Sequence, residues 1–124
     1  MDQNAIETDE TINLIAADKV EGTAVYNRDA ESIGTIKTVM LNKRNGRVAY
    51  AVLASGGFLG IGAEYYPVPW EALRYDTGLG GYRVDITDFD NAPRYPADQE
   101  PNWADQLFGE GLRRHYGVPG AAAI

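Results

Sequence analysis

The sequence contains no cysteine. That excludes disulfides, thiolate metal sites and cysteine nucleophiles together. It has a single histidine, His115. A histidine-based transition-metal centre normally needs more than one such ligand. A nucleophilic triad would need a serine or threonine and an orienting acid beside it. At a helix end a histidine more often meets the last carbonyls. No run of about 18 apolar residues is present, so no membrane-spanning helix is expected. Residues 1–11 lack the basic and apolar regions of a signal peptide, so export is not indicated and a cytoplasmic location is expected. Bases are scarce as well, with 11 Lys and Arg against 18 Asp and Glu and a net charge of -7. Phosphate contacts need Lys and Arg, so direct nucleic-acid binding is not expected.

What is present suits one domain. The chain has 124 residues, of which 44% are hydrophobic and 23% charged. It is too apolar to be wholly disordered and long enough to bury a core. The charge is uneven. Residues 1–12 carry -4, residues 13–84 carry +1 and residues 85–124 carry -4. The acidity belongs to the ends, and the middle is nearly neutral. Lys43, Arg44 and Arg47 gather around one turn. Three charges make a weak field, and a solvated hairpin tip accounts for them better than an anion site.

Residues 1–13 read as a flexible acidic lead. Residues 14–86 read as short strands punctuated by turns. The β-prone segments are 23–26, 33–41, 47–55, 64–68, 74–76 and 82–86. The second and third are joined by Lys43-Arg44-Asn45-Gly46, where Asn and Gly tolerate the positive φ of a tight hairpin. Segment 47–55 places Val48, Tyr50, Val52 and Ala54 on one face and Ala49, Ala51 and Leu53 on the other. Both faces are apolar, so this strand is expected to be covered on both sides. Pro67 implies a strand edge or end. Residues 69–73 suit one helical turn with Pro69 near its start. About six short strands with close turns favour a mainly β fold, a small antiparallel barrel or sandwich.

Residues 87–124 form a proline-rich extension. Asn102 could cap a helix over about 102–115. Trp103, Leu107, Phe108, Leu112 and Tyr116 form its apolar stripe. Gly109 and Gly111 weaken it by about 1 kcal/mol each. Such a helix needs a surface, either its own sheet or a partner's.

Residues 14–86 resemble a PRC-barrel domain. The matching blocks run Leu14-Ile15-Ala16-Ala17-Asp18, then Gly22 and Val25, then Ser32-Ile33-Gly34-Thr35-Ile36. Gly46-Arg47-Val48-Ala49-Tyr50-Ala51-Val52 follows. The last two blocks, Gly56-Gly57-Phe58-Leu59-Gly60-Ile61-Gly62 and Val68-Pro69-Trp70-Glu71-Ala72-Leu73, are the more specific. Similar barrels occur in the photosynthetic reaction centre H subunit and in the C-terminal part of a ribosome maturation factor. The tail, with Ala92-Pro93-Arg94-Tyr95, a Trp and Tyr116-Gly117-Val118-Pro119, is similar to extensions on small stand-alone bacterial members. No transmembrane helix like that of the H subunit is present. The paired tyrosines that precede the barrel in the maturation factor are missing, Tyr65 and Tyr66 lying elsewhere. The resemblance therefore implies a small antiparallel β-barrel with a C-terminal helical extension. It implies docking to proteins, with no recognised catalytic residues and no cofactor.

Several groups invite a sharper reading. The glycine block at 56–62 lacks the order of a nucleotide-binding loop, and a proline-containing strand follows it instead of a helix. Its Phe58, Leu59 and Ile61 must either fold back on the core or face a partner, since contiguous exposed apolar surface marks interfaces. Asp85, Asp88, Asp90 and Asn91 could supply oxygen ligands to Ca²⁺ or Mg²⁺, but the full calcium-loop pattern is absent. Trp70 is expected to plug the barrel end, and Trp103 to be core or interface.

The expected function is a non-catalytic protein-interaction or adaptor module that self-associates, as a homodimer. Its candidate interface is Phe58, Leu59, Ile61, Trp103, Leu107 and Phe108. Alternatives are an accessory factor in ribosome or RNA processing, reached through basic ribosomal proteins, and a peripheral partner of a membrane complex such as a photosynthetic one. A metal-dependent enzyme using the Asp85, Asp88 and Asp90 group is a distant fourth.

Overall fold

The computed structural model describes residues 14–56, 62–85 and 89–119. In chain order the elements are α1 (Ala17–Val20), β1 (Ala24–Tyr26), β2 (Ser32–Leu41), β3 (Val48–Ser55) and β4 (Glu64–Pro69). A 3-10 turn at Trp70–Ala72 leads to β5 (Leu73–Asp76) and β6 (Gly81–Val84). The tail adds β7 (Tyr95–Pro96) and α2 (Gln106–His115). All seven strands form one sheet in the order β5-β6-β1-β2-β3-β4-β7. Among the described residues no ladder joins β5 to β7, so hydrogen bonding leaves the sheet open. No helix among them is long and apolar enough to cross a membrane.

The β2–β3 hairpin forms where the Asn-Gly signal predicts, with a different turn. Only Gly46 takes a positive φ there, 76°, and Asn45 does not. The organiser is Asn42. Its Oδ1 accepts from the amides of Arg44 at 2.9 Å and Asn45 at 3.2 Å, and its carbonyl accepts from Gly46 N at 2.9 Å. A side chain that mimics a backbone acceptor fixes the turn without needing two left-handed residues.

The sheet is mixed, not wholly antiparallel. β6 runs antiparallel to β5 but parallel to β1, with Val25 opposite Tyr82. The cause is the link between β4 and β5. It is a 3-10 turn that crosses from one side of the sheet to the other, not a hairpin, so the alternation of strand direction slips by one. Close-range turn signals report hairpin neighbours and are silent on such long-range pairing. The seventh strand, β7, lies in the proline-rich extension, where no strand is expected from the sequence. It is two residues long and pairs only with Glu64 and Tyr65. Beyond that point β7 does not reach, and Pro67 sits where no strand needs a donor from it.

β3 holds the centre. Ala51, Val52 and Leu53 are all buried. Ala51 and Leu53 join Val25, Ile36, Tyr66, Val68, Leu73, Tyr82 and Val84 in the main core. Val52, 1% exposed, faces the other way with Tyr50 and Ala54. The expectation of a strand covered on both faces is thus met. Trp70 packs on the core, with its ring 5.4 Å from that of Tyr82.

Two close approaches depend on glycine. A Cβ on Gly34 would strike the carbonyl oxygen of Ala54, and one on Gly81 that of Ala24. Both obstacles are backbone, which cannot swing aside. Gly34→Ala and Gly81→Ala are each expected to cost at least about 2 kcal/mol in urea unfolding, since a strand must shift to admit the methyl group.

Candidate interaction surface

The extension returns to the outer face of β3 and β4. Helix α2 begins at Gln106, later than the expected 102. Asp105 is its N-cap, accepting from Leu107 N at 2.9 Å. Asn102 instead caps the preceding turn, its Oδ1 accepting from Ala104 N at 3.0 Å. Trp103 therefore stands ahead of the helix, not on its stripe.

From that turn the Trp103 ring meets three others. Tyr50 lies at 5.7 Å between centroids, Tyr95 at 6.3 Å and Phe108 at 6.0 Å. Its indole Nε1 donates to Glu100 Oε2 at 2.9 Å, which satisfies the one polar atom of the ring. Tyr95 continues the row to Tyr65 at 5.6 Å, and Lys37 Nζ stands 5.2 Å from the centroid of Tyr65. Burial, with Glu100 and Tyr65 nearby, raises the pKa of the Tyr95 phenol. All five rings are half-buried. They glue the tail to the sheet while leaving an aromatic strip at the surface.

Helix α2 lies against β4. Leu112 is buried to 1% exposure and Arg113 to 3%. The Arg113 guanidinium donates to Glu71 Oε2 at 3.4 and 3.5 Å and to the Pro119 carbonyl at 3.3 Å. It ties the tail to the 3-10 turn between β4 and β5. A base near a helix C-terminus reads as a dipole partner on the surface, so its burial has no sequence signal. Tyr116 follows, packed against the main core beside Tyr66. Its hydroxyl is buried with no hydrogen-bond partner among the described residues. The neighbouring Tyr66 stacks on Phe89 at 4.4 Å and accepts from Arg94 Nη1 at 2.6 Å.

The candidate residues separate. Trp103 and Phe108 are half-buried and touch each other. Leu107 is 77% exposed, off the buried face of the helix. It is the neighbour of Phe108 in the chain. Phe58, Leu59 and Ile61 lie outside the described residues, as does Asp88. Asp85 pairs with Arg83 at 3.3 Å, and the backbone of Asp90 accepts from Arg94. Among the described residues no group of three acids or histidines could hold a metal ion. His115 ends α2 with its ring 5.2 Å from that of Tyr116. Sequence reasoning left out Tyr95, Glu100, Arg113 and Glu71. The only available signal was the aromatic content of the tail.

A family model described as PRC-barrel domain matches residues 12–90. No curated protein matches the chain.

Two measurements probe the seating of the tail. A Cβ at Gly111 meets open space, whereas one at Gly109 would come 3.1 Å from Tyr50 Oη. Gly111→Ala is expected to raise stability by about 0.5–1 kcal/mol, and Gly109→Ala to gain less or lose, as urea midpoints will show. Burial also holds the Tyr116 phenol well above its ordinary pKa. The unfolded phenol releases its proton near pH 10 while the folded one keeps it, so stability falls as pH rises past about 10. Tyr116→Phe should flatten that alkaline loss. At neutral pH it should be level with the parent or more stable by up to about 1 kcal/mol, because no bond is lost.

Proposed function

The chain belongs to the PRC-barrel domain family, and from that premise we propose that it is a non-catalytic protein-interaction module that self-associates as a homodimer. Family membership supports the interaction role. The single main core, drawn from β1 to β6, supports a sheet curled into the family's barrel, with residues 87–124 as an extension laid on it.

One observation carries the self-association. Leu107 is 77% exposed on a helix anchored by Leu112 and Arg113, and the next residue, Phe108, is half-buried against Trp103. A side chain that large, held out by a well-seated helix, fits a contact surface.

Size-exclusion chromatography with light scattering over a concentration series tests this. The expected result is a dimer at micromolar concentration. A clean monomer at high micromolar concentration overturns the proposal. Leu107→Ser should shift the equilibrium towards monomer. It should change stability by less than about 0.5 kcal/mol, because the side chain is exposed in the single chain.

A further inference from the structure

Asn45 and Gly46 serve the fold as a turn, and together they also hold the parts of a chemical reaction. Asn45 is the one asparagine in the chain that a glycine follows. Both residues are exposed at the tip of the β2–β3 hairpin. An asparagine carboxamide carbon lies near the backbone nitrogen of the next residue in any chain. Once that nitrogen has lost its proton, it can attack the carbon and close a five-membered ring. A following glycine favours the step, because it has no Cβ and the widest choice of φ and ψ. At Gly46 even an added Cβ would meet nothing within 4 Å, so the surroundings do not crowd this residue.

The folded turn holds the nucleophile back. Gly46 N–H donates to the Asn42 carbonyl at 2.9 Å, and Asn45 Oδ1 accepts from Arg47 N at 2.8 Å. A hydrogen-bonded amide must part from its acceptor before base can take its proton, as in amide exchange. Asn42 maintains the closed arrangement, since its own Oδ1 accepts from the amides of Arg44 and Asn45. We propose that Asn45 is a site of non-enzymatic deamidation, gated by the opening of the Gly46 to Asn42 hydrogen bond. Gly46 N gives its proton to a solvent base and bonds to Asn45 Cγ. The Cγ–Nδ2 bond breaks, and ammonia leaves with a proton returned to it. Water then opens the succinimide at either carbonyl, and nothing is oxidised or reduced. Attack at Cγ yields aspartate, and attack at the backbone carbonyl yields isoaspartate. Either product adds a negative charge beside Lys43, Arg44 and Arg47. Isoaspartate also lengthens the main chain by one atom, which shifts Gly46 away from its bond to Asn42.

Incubation of the full chain in mildly alkaline buffer tests this, with peptide mapping by mass spectrometry after cleavage at glutamate. The readout is the mass gain of an amide turned acid at Asn45. The same chain unfolded in guanidinium chloride gives the ungated rate. Conversion in the folded chain should concentrate at Asn45. It should run at least about fivefold slower than in the unfolded chain, the effect of one ordinary hydrogen bond that must open first. Hydrogen exchange should show the Gly46 amide protected as well, because the same opening exposes it. Asn42→Ala, with circular dichroism confirming the fold, should bring the folded rate towards the unfolded one, since the turn loosens while the reacting pair is unchanged. Asn42→Asp keeps the acceptor and should restore the parent's ratio. The parent's rates and the Gly46 exchange decide the question even where Asn42→Ala does not fold. A folded parent that leaves Asn45 intact long after the unfolded chain has converted, or that converts faster at another asparagine, overturns the site. Equal rates in the folded and unfolded chains, or a Gly46 amide that exchanges without protection, overturn the gate.

Discussion

β3 is buried on both of its faces, and most of the architecture follows from that requirement. Ala51 and Leu53 point into the main core, while Val52 points the opposite way and is equally inaccessible. A sheet of this size can satisfy the first face by curling over its own side chains. The second face needs a separate layer. In this chain the extension beyond residue 86 supplies it. Tyr50 and Tyr65, on the outer face, are met by Trp103 and Tyr95. The proline-rich stretch is therefore part of the folded unit, contributing a strand to the sheet and Ala92 to the core.

The way the tail is held also determines what it leaves uncovered. The buried side of α2 is fixed at Leu112 and at Arg113, whose guanidinium reaches Glu71 across the molecule. With that side committed, Leu107 can only point outwards. A buried guanidinium with a half-exposed partner at 3.4 Å is a modest source of stability, because desolvation offsets much of the attraction. Its contribution is orientational: it sets which stripe of α2 meets the sheet. The exposure of Leu107 is a consequence of that setting.

The separation of charge has a related origin. The middle of the chain is close to neutral, and the acids lie towards the ends. Folding brings Trp103, within the acidic stretch 98–110, against Tyr50 of β3. A net charge of -7 therefore says little about the tail surface, where α2 carries Glu110 together with Arg114.

The short-range features were legible from residues alone, because they depend on neighbours in the chain. The hydrophobic run of β3, the hairpin at Gly46, the 3-10 turn after Pro69 and the existence of a C-terminal helix all stand close to where their sequence signals lie. The family was legible too, from blocks of glycine, proline and tryptophan at fixed spacing. Other features depended on contacts between distant segments. The parallel pairing of β1 with β6 arises from a crossover that carries no turn signal. The start of α2 at Gln106 rests on Asp105 outcompeting Asn102, two acceptable caps three residues apart. Leu107 and Leu112 read alike on a helical stripe, yet one is exposed and the other buried, because the sheet can cover only one arc of the helix. The sequence by itself determined which segments form strands and helix, since backbone propensity and periodicity are local. Only the tertiary structure decided which apolar side chains remain outside, since that depends on which surfaces happen to meet.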